Sequence, residues 1–156
     1  MRFTKAFFLS ILSLWGTSPA FARTAPADAV IQALDEAIQD EFRARATYQK
    51  VISDFGRVLP FANIVEAEAR HIEELSGLYA ARGLKSPKSL WNEANVPSFE
   101  TIGSACRAGV QGEIENIAIY DRLMKLRLPS DVERTFGYLR EASLERHLPA
   151  FKRCAE

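Results

Sequence analysis

The sequence predicts an all-α chain folded as a four-helix bundle. Three observations predict it. Apolar residues recur at alternating three and four spacing over four long stretches, Pro and Gly fall between those stretches, and no segment shows the strict alternation of a half-buried strand.

The first stretch opens near Pro26-Ala27-Asp28 and runs to about Phe55, where Gly56 supplies a stop. Its inward stripe is Val30, Leu34, Ala37, Glu41, Ala44, Tyr48, Val51 and Phe55, with Glu41 the only charged member. Asp35, Glu36 and Asp40 fall off that stripe and read as a solvated acidic face. The second stretch starts after Pro60 and ends at Arg82-Gly83, with Phe61, Ile64, Glu68, His71, Leu75 and Leu78 on one side. The third runs from about Phe99 to Leu126 before Pro129, carrying Ile102, Cys106, Gly109, Glu113, Asn116 and Tyr120. The fourth starts at a Ser130-Asp131 cap and reaches the C-terminus through Val132, Phe136, Ser143, His147, Phe151 and Cys154.

Connection lengths set the topology. Short links join helices one to two and three to four, so each pair forms an antiparallel hairpin. Between the hairpins, Leu84 to Ser98 can extend ~50 Å at ~3.3 Å per residue, enough to cross the bundle end to end. Helices two and three are then parallel. The part of the linker around Trp91 is expected to pack over the bundle as a lid.

Ahead of the helices, Met1 to Lys5 is a short basic start, Ala6 to Trp15 an apolar run, and Ala20-Phe21-Ala22 a small-x-small cleavage site. This is expected to be a secretory signal peptide over residues 1–22, cut after Ala22, leaving one domain over residues 23–156 in the periplasm or outside the cell. The apolar run is shorter than the ~20 residues a spanning helix needs, so no membrane span is expected after cleavage. Loss of Arg2 and Lys5 from 20 basic residues against 20 acidic ones leaves a slightly acidic chain, which does not point to nucleic acid.

An exported chain meets an oxidising compartment, and its two cysteines, Cys106 and Cys154, are expected to pair. Cys106 lies seven residues before Glu113 and Cys154 seven after His147, so both sit ~10.5 Å from that level on antiparallel neighbours. If Glu113 meets His147, the cysteines meet as well.

Both histidines of the chain, His71 and His147, sit on inward stripes, and the first belongs to Glu68-Ala69-Arg70-His71. A Glu-x-x-His pair puts a carboxylate and an imidazole on one helical face, where both can reach a metal between packed helices. Each helix offers a polar group at mid-height, and a buried carboxylate is costly unless paired or metal-bound. A faint repeat reinforces this. Glu41 and Tyr48 match Glu113 and Tyr120 in spacing, and Phe61 to His71 resembles Phe136 to His147, the second copy being one residue longer.

The combination of Glu41-x-x-Ala44-x-x-x-Tyr48, Phe55-Gly56, Pro60-Phe61-x-Asn63-Ile64, Ala67-Glu68-x-x-His71, Glu113-x-x-Asn116-x-x-x-Tyr120-Asp121 and Ala142-Ser143 followed by His147-Leu148-Pro149-Ala150-Phe151 resembles the ferritin-like superfamily. Within it the chain is most similar to a family known as domain of unknown function 2202. The resemblance covers nearly all of the mature chain and implies a bundle of two hairpins joined by a long crossover. Relatives such as rubrerythrins hold two irons with one Glu from each of two helices and a Glu-x-x-His from each of the others. By that resemblance Glu41, Glu68, His71, Glu113 and His147 would be metal ligands, with Tyr48, Asn116, Tyr120 and Ser143 around them.

Helix four departs from the pattern. Leu144 stands three before His147 and Ser143 four before, while Glu141 and Glu145 are turned away on an ideal helix. The vacancy admits a dinuclear site completed by water, Ser143 or a redirected Glu, a mononuclear site, or a polar core without metal. Pro149 adds a local irregularity that can shift these side chains.

The expected protein therefore binds one or two iron ions, with manganese and zinc sharing the same donor preference. Its chemistry would be ferrous oxidation or peroxide reduction, with dioxygen or peroxide as reactant. A rubredoxin-like site needs four cysteines, so a redox cycle would draw on an external electron donor. The rival expectation is a non-catalytic metal-binding or structural bundle with a vestigial site.

Overall fold

A computed structural model describes residues 25–156; the expected leader over residues 1–22 lies outside the described residues. Helix α1 spans Ala27–Phe55, α2 Phe61–Ala80, α3 Ile102–Leu123, α4 Ser130–Ala142 and α5 Leu148–Ala155. A single π turn, Ser143–His147, joins α4 to α5, so these three pieces form the fourth rod of the bundle. No strand occurs among the described residues.

Helix ends agree with the sequence where backbone chemistry is decisive. Gly56 stops α1 with φ 85°, a left-handed value that side chains with a Cβ resist, and its N–H returns to Ile52 O at 2.9 Å. Two ends need correction. Helix α3 begins at Ile102 rather than Phe99, because Thr101 and Ser104 form a reciprocal cap. The Thr101 hydroxyl accepts from Ser104 N at 3.1 Å, and Thr101 N donates to Ser104 Oγ at 3.2 Å. The expected Ser130-Asp131 cap is absent, Pro129 taking the cap position. Asp131 instead holds Arg82 at the end of α2, at 3.0 and 3.1 Å.

These end contacts fix the topology. Ala25 N donates to Arg127 O at 3.0 Å, and Arg82 meets Asp131, so one end of the bundle gathers the starts of α1 and α4 and the ends of α2 and α3. Helices α2 and α3 are parallel, as the long crossover requires. At the other end Cys106 and Cys154 form the expected disulfide, with Cα atoms 5.6 Å apart.

The apolar core is split in two. Leu34, Ile38, Leu75, Leu123, Phe136 and Leu139 fill one half, and Val51, Phe61, Ile64, Cys106 and Phe151 the other. Each such fully buried large side chain contributes about 1.5–3 kcal/mol. Close approach of α3 and α5 depends on Gly109, where a Cβ would lie 2.6 Å from the Phe151 ring. The layer between the halves is polar, and every rod contributes to it.

The crossover covers one flank of α1 and α3. Gln39 anchors it twice, donating to Lys88 O at 2.9 Å and accepting from Leu90 N at 3.0 Å. Asn95 closes it on itself by donating to Leu90 O at 2.8 Å. The expected lid around Trp91 is thus held to the bundle by α1.

Candidate metal centre

Glu41, Glu68, His71, Glu113 and His147 converge in that polar layer, all nearly inaccessible to solvent. Glu68 occupies its middle. Its Oε2 lies 2.9 Å from His71 Nδ1 and its Oε1 3.2 Å from His147 Nδ1. Glu41 Oε2 flanks His71 at 3.1 Å, and Glu113 Oε2 flanks His147 at 3.4 Å. The two rings stack with centroids 5.5 Å apart. Two triads result, Glu41 with Glu68 and His71, and Glu68 with Glu113 and His147. In each, one donor atom per residue lies within 4.8 Å of the others.

The outer oxygens of the carboxylates are held crosswise. Tyr48 on α1 donates to Glu113 Oε1 on α3 at 2.7 Å, and Tyr120 on α3 donates to Glu41 Oε1 on α1 at 2.7 Å. Asn116 Nδ2 donates to Glu41 Oε1 at 3.1 Å and to Asp40 Oδ2 at 2.9 Å, while Ser143 Oγ donates to Asn116 Oδ1 at 2.8 Å.

Asp40 corrects the sequence reading. Placed there on the solvated face, it is 8% exposed, bonded to Asn116 and paired with Arg43 at 2.6 Å. Helical periodicity separated it from Glu41, but α3 packs close enough for Asn116 to reach both. Asp35 and Glu36 do remain exposed, accepting from Tyr79 and pairing with Arg122 respectively.

The fourth rod explains its extra residue. In the π turn Leu148 N donates to Ser143 O, one residue further back than in an α-helix. The widened turn absorbs the residue by which Phe136 to His147 exceeds Phe61 to His71, keeping Ser143 and His147 both inward. Pro149 follows directly, so its missing N–H falls where the π turn passes into α5. Glu141 and Glu145 are exposed, so neither fills the vacant carboxylate position; buried Ser143 stands there.

Electrostatics shape the centre. Burial opposes a charged His71, yet the adjoining Glu41 and Glu68 push its pKa up to about 10. Burial likewise opposes a charged His147, which Glu113 and Glu68 raise to about 9. Glu41 is raised by burial and by the charge of Glu68, and Tyr48 and Tyr120 are raised by burial and the carboxylates they bond. Burial favours neutral Glu68, but its contacts with both histidines hold it below the usual carboxylate value.

One atom stands apart. His147 Nδ1 is buried and close to two carboxylates without being aligned for a hydrogen bond to either. Buried polar atoms are nearly always bonded, so a nitrogen left over among oxygen donors fits a cation better than it fits a completed hydrogen-bond network. Imidazole and carboxylate donors are a set that transition metals accept.

No family model matches the sequence, and no curated protein sequence matches it. Among solved structures, a Desulfovibrio desulfuricans bacterioferritin, studied for its diiron site in different catalytic states, superposes with TM-score 0.70 at 20% identity. That match covers 82% of this chain and 78% of the bacterioferritin. The fold is a ferritin-like helical bundle. A conserved hypothetical protein of Mycobacterium tuberculosis shares it, with TM-score 0.70 and 15% identity over 82% of this chain and 91% of that one. The buried Glu and His groups of this ferritin-like bundle are compatible with a metal site.

Proposed function

We propose that the chain is an exported ferritin-like protein holding two iron ions between Glu41, Glu68, His71, Glu113 and His147, and using them in ferrous oxidation or peroxide reduction. The observation that carries this is the position of Glu68, whose two oxygens each face a different histidine. One carboxylate shared by two triads is the arrangement a pair of ions needs. Iron is favoured over manganese or zinc by the diiron bacterioferritin of like fold. Kinship with domain of unknown function 2202 is part of the same proposal, supported by the motifs from Glu41 to Phe151. Export is supported by the leader-like start and by the paired cysteines.

When bound, such a pair supplies the electron changes that reduce dioxygen or peroxide. The chain's residues do the rest. Tyr48, Tyr120 and Asn116 fix the outer carboxylate oxygens of Glu113 and Glu41, which would leave the inner ones to hold the ions. The two apolar half-cores exclude water above and below, and both histidines would have to give up their protons to hold a metal. In ferrous oxidation the electrons would come from the ferrous ion itself, and in peroxide reduction from an external donor.

A second reading also has an observation behind it. With both rings protonated, the imidazolium charges offset those of the three carboxylates, giving a metal-free polar core in a structural bundle. Elemental analysis of protein purified without chelators, before and after anaerobic ferrous loading, separates the two. About two irons per chain, falling to about one in His71→Ala because the triad of Glu68, Glu113 and His147 keeps its donors, is the expected result; no iron in either preparation overturns the metal reading.

A further inference from the structure

A cavity of about 460 Å³ opens between α1, α3 and the crossover, and it reaches Glu68 and Glu113. Its existence follows from the sequence. Ala44, Ala108 and Gly112 line it, leaving little side-chain bulk between α1 and α3 at this level. The crossover then roofs the gap with Trp91, Val96, Pro97 and Phe99. The roof is built to stay, since Gln39 holds it at 2.9 and 3.0 Å.

The two ends of the cavity differ in chemistry. The walls present mostly aromatic and aliphatic surface, with Asn95, Gln111 and Glu115 also lining them, whereas the buried end carries Tyr48, Asn116 and the carboxylates of Glu68 and Glu113. Its single cationic side chain among the described residues, Arg43, is already committed to Asp40 at 2.6 Å and Glu115 at 3.4 Å. Among the described residues no free positive group remains in the lining to receive an anion. A volume in the range of small-molecule sites and a lining that presents more apolar than polar surface are the attributes of a ligand pocket.

We infer that this cavity binds an uncharged, largely aromatic organic molecule, its apolar body under the Trp91 roof and its inner end against the Glu68 and Glu113 carboxylates. The inference names what reaches the centre. It rests on the metal reading only for the chemistry done there, not for binding.

Trp91 supplies the probe. Trp15 is the only other tryptophan, so in a Trp15→Phe chain fluorescence reports the cavity roof alone. The test titrates this chain with N-phenyl-1-naphthylamine and, separately, with 8-anilinonaphthalene-1-sulfonate, which adds a sulfonate to the same aromatic frame. Saturable energy transfer from Trp91 to one equivalent of the uncharged amine is expected, with the sulfonate at least about tenfold weaker. Ala108→Phe fills the cavity and should weaken the amine by about tenfold or more. Should a melting curve show that variant misfolded, Gln111→Phe at the exposed rim takes its place. No saturable transfer, unaltered affinity in the folded filling variant, or a sulfonate as tight as the amine each overturns the inference. His71 does not line the cavity, so His71→Ala should lose about one metal ion per chain and keep the amine. Metal without amine binding defeats this inference alone; amine binding without metal defeats the metal reading alone.

Discussion

Tyr48 of the first helix donates its phenol to Glu113 of the third, 2.7 Å away, and the third helix returns the bond from Tyr120 to Glu41 at the same distance. Each Glu and Tyr repeated along one helix therefore completes a pair on the other. The exchange ties the carboxylate orientation to the packing of α1 on α3. Tyr48→Phe leaves Glu113 Oε1 without that donor in a buried layer, a loss of about 1–3 kcal/mol in the metal-free protein. Metal affinity should fall by about 10 to 100-fold, as for other groups that orient ligands. Denaturant melts and a competitive metal titration check both numbers; unchanged affinity would show that the tyrosine does not orient the carboxylate.

Glu68 is common to both triads, whereas Glu41 belongs to one. Under the proposed assignment, Glu68→Ala should abolish both ions and Glu41→Ala should leave about one per chain, since one triad keeps its donors. Elemental analysis after anaerobic loading distinguishes them. Equal loss in the two variants would argue against a shared carboxylate.

Much of this centre is legible in the sequence because burial is periodic. Glu41, Glu68, His71, Glu113 and His147 are polar members of apolar stripes, and all five are buried together. The cysteine spacing gave the register of α3 against the fourth rod, and the disulfide obeys it. Asp40 escaped because a stripe describes one helix, while its burial arises from a neighbour. The π turn showed only as one extra residue between Phe136 and His147. A count can reveal an insertion, but only the backbone hydrogen bond from Leu148 to Ser143 says how it is accommodated. The Thr101-Ser104 cap was missed because Ser replaces the Glu or Gln of the usual pattern.

The histidines give the metal-free protein a pH dependence of definite sign. Both folded pKa values, about 10 for His71 and about 9 for His147, exceed the ordinary 6.5. A raised pKa means that the folded state binds protons more tightly, so this stabilisation is complete below about pH 6.5 and is lost as pH rises through 9 to 10. The lowered pKa of Glu68 acts in acid, below that window. Chelator-treated protein should therefore melt at steadily lower temperature from pH 6.5 to 10, and loading metal at pH 7 should release about two protons per chain. Melting curves give the first result and calorimetry in buffers of different ionisation enthalpy the second. A flat profile would mean that the rings are neutral in the apo core.

Reduction of the disulfide tests the register from the other side. The bridge closes a loop of sequence separation 48, which corresponds to about 4 kcal/mol in the chain-entropy account. Cys106→Ser with Cys154→Ser should lower the melting temperature by about 10 °C for a domain of this size. The polar layer is held by its own bonds from Tyr48, Asn116 and Tyr120, so metal stoichiometry in the folded double variant should be retained. Thiol titration of the denatured, unreduced parent should find no free thiol.

The close approach of α3 to α5 offers a test that leaves all polar groups untouched. A methyl at position 109 would sit 2.6 to 2.8 Å from three atoms of the Phe151 ring, which is fully buried beside Tyr48 and Phe61 at 5.1 and 5.0 Å. That ring cannot swing into solvent, so the helices must separate or the aromatic cluster must tilt. Gly109→Ala normally gains helix propensity of up to about 1 kcal/mol, yet overpacking costs about 1–3 kcal/mol and should decide the sign. Net destabilisation in a denaturant melt is expected, and Phe151→Leu in the same chain should recover part of it by vacating the space. Because Tyr48 packs on Phe151 and also bonds Glu113, the displaced cluster should also weaken metal binding, whereas an alanine tolerated without either effect would show the α3 and α5 contact to be looser than 2.6 Å implies.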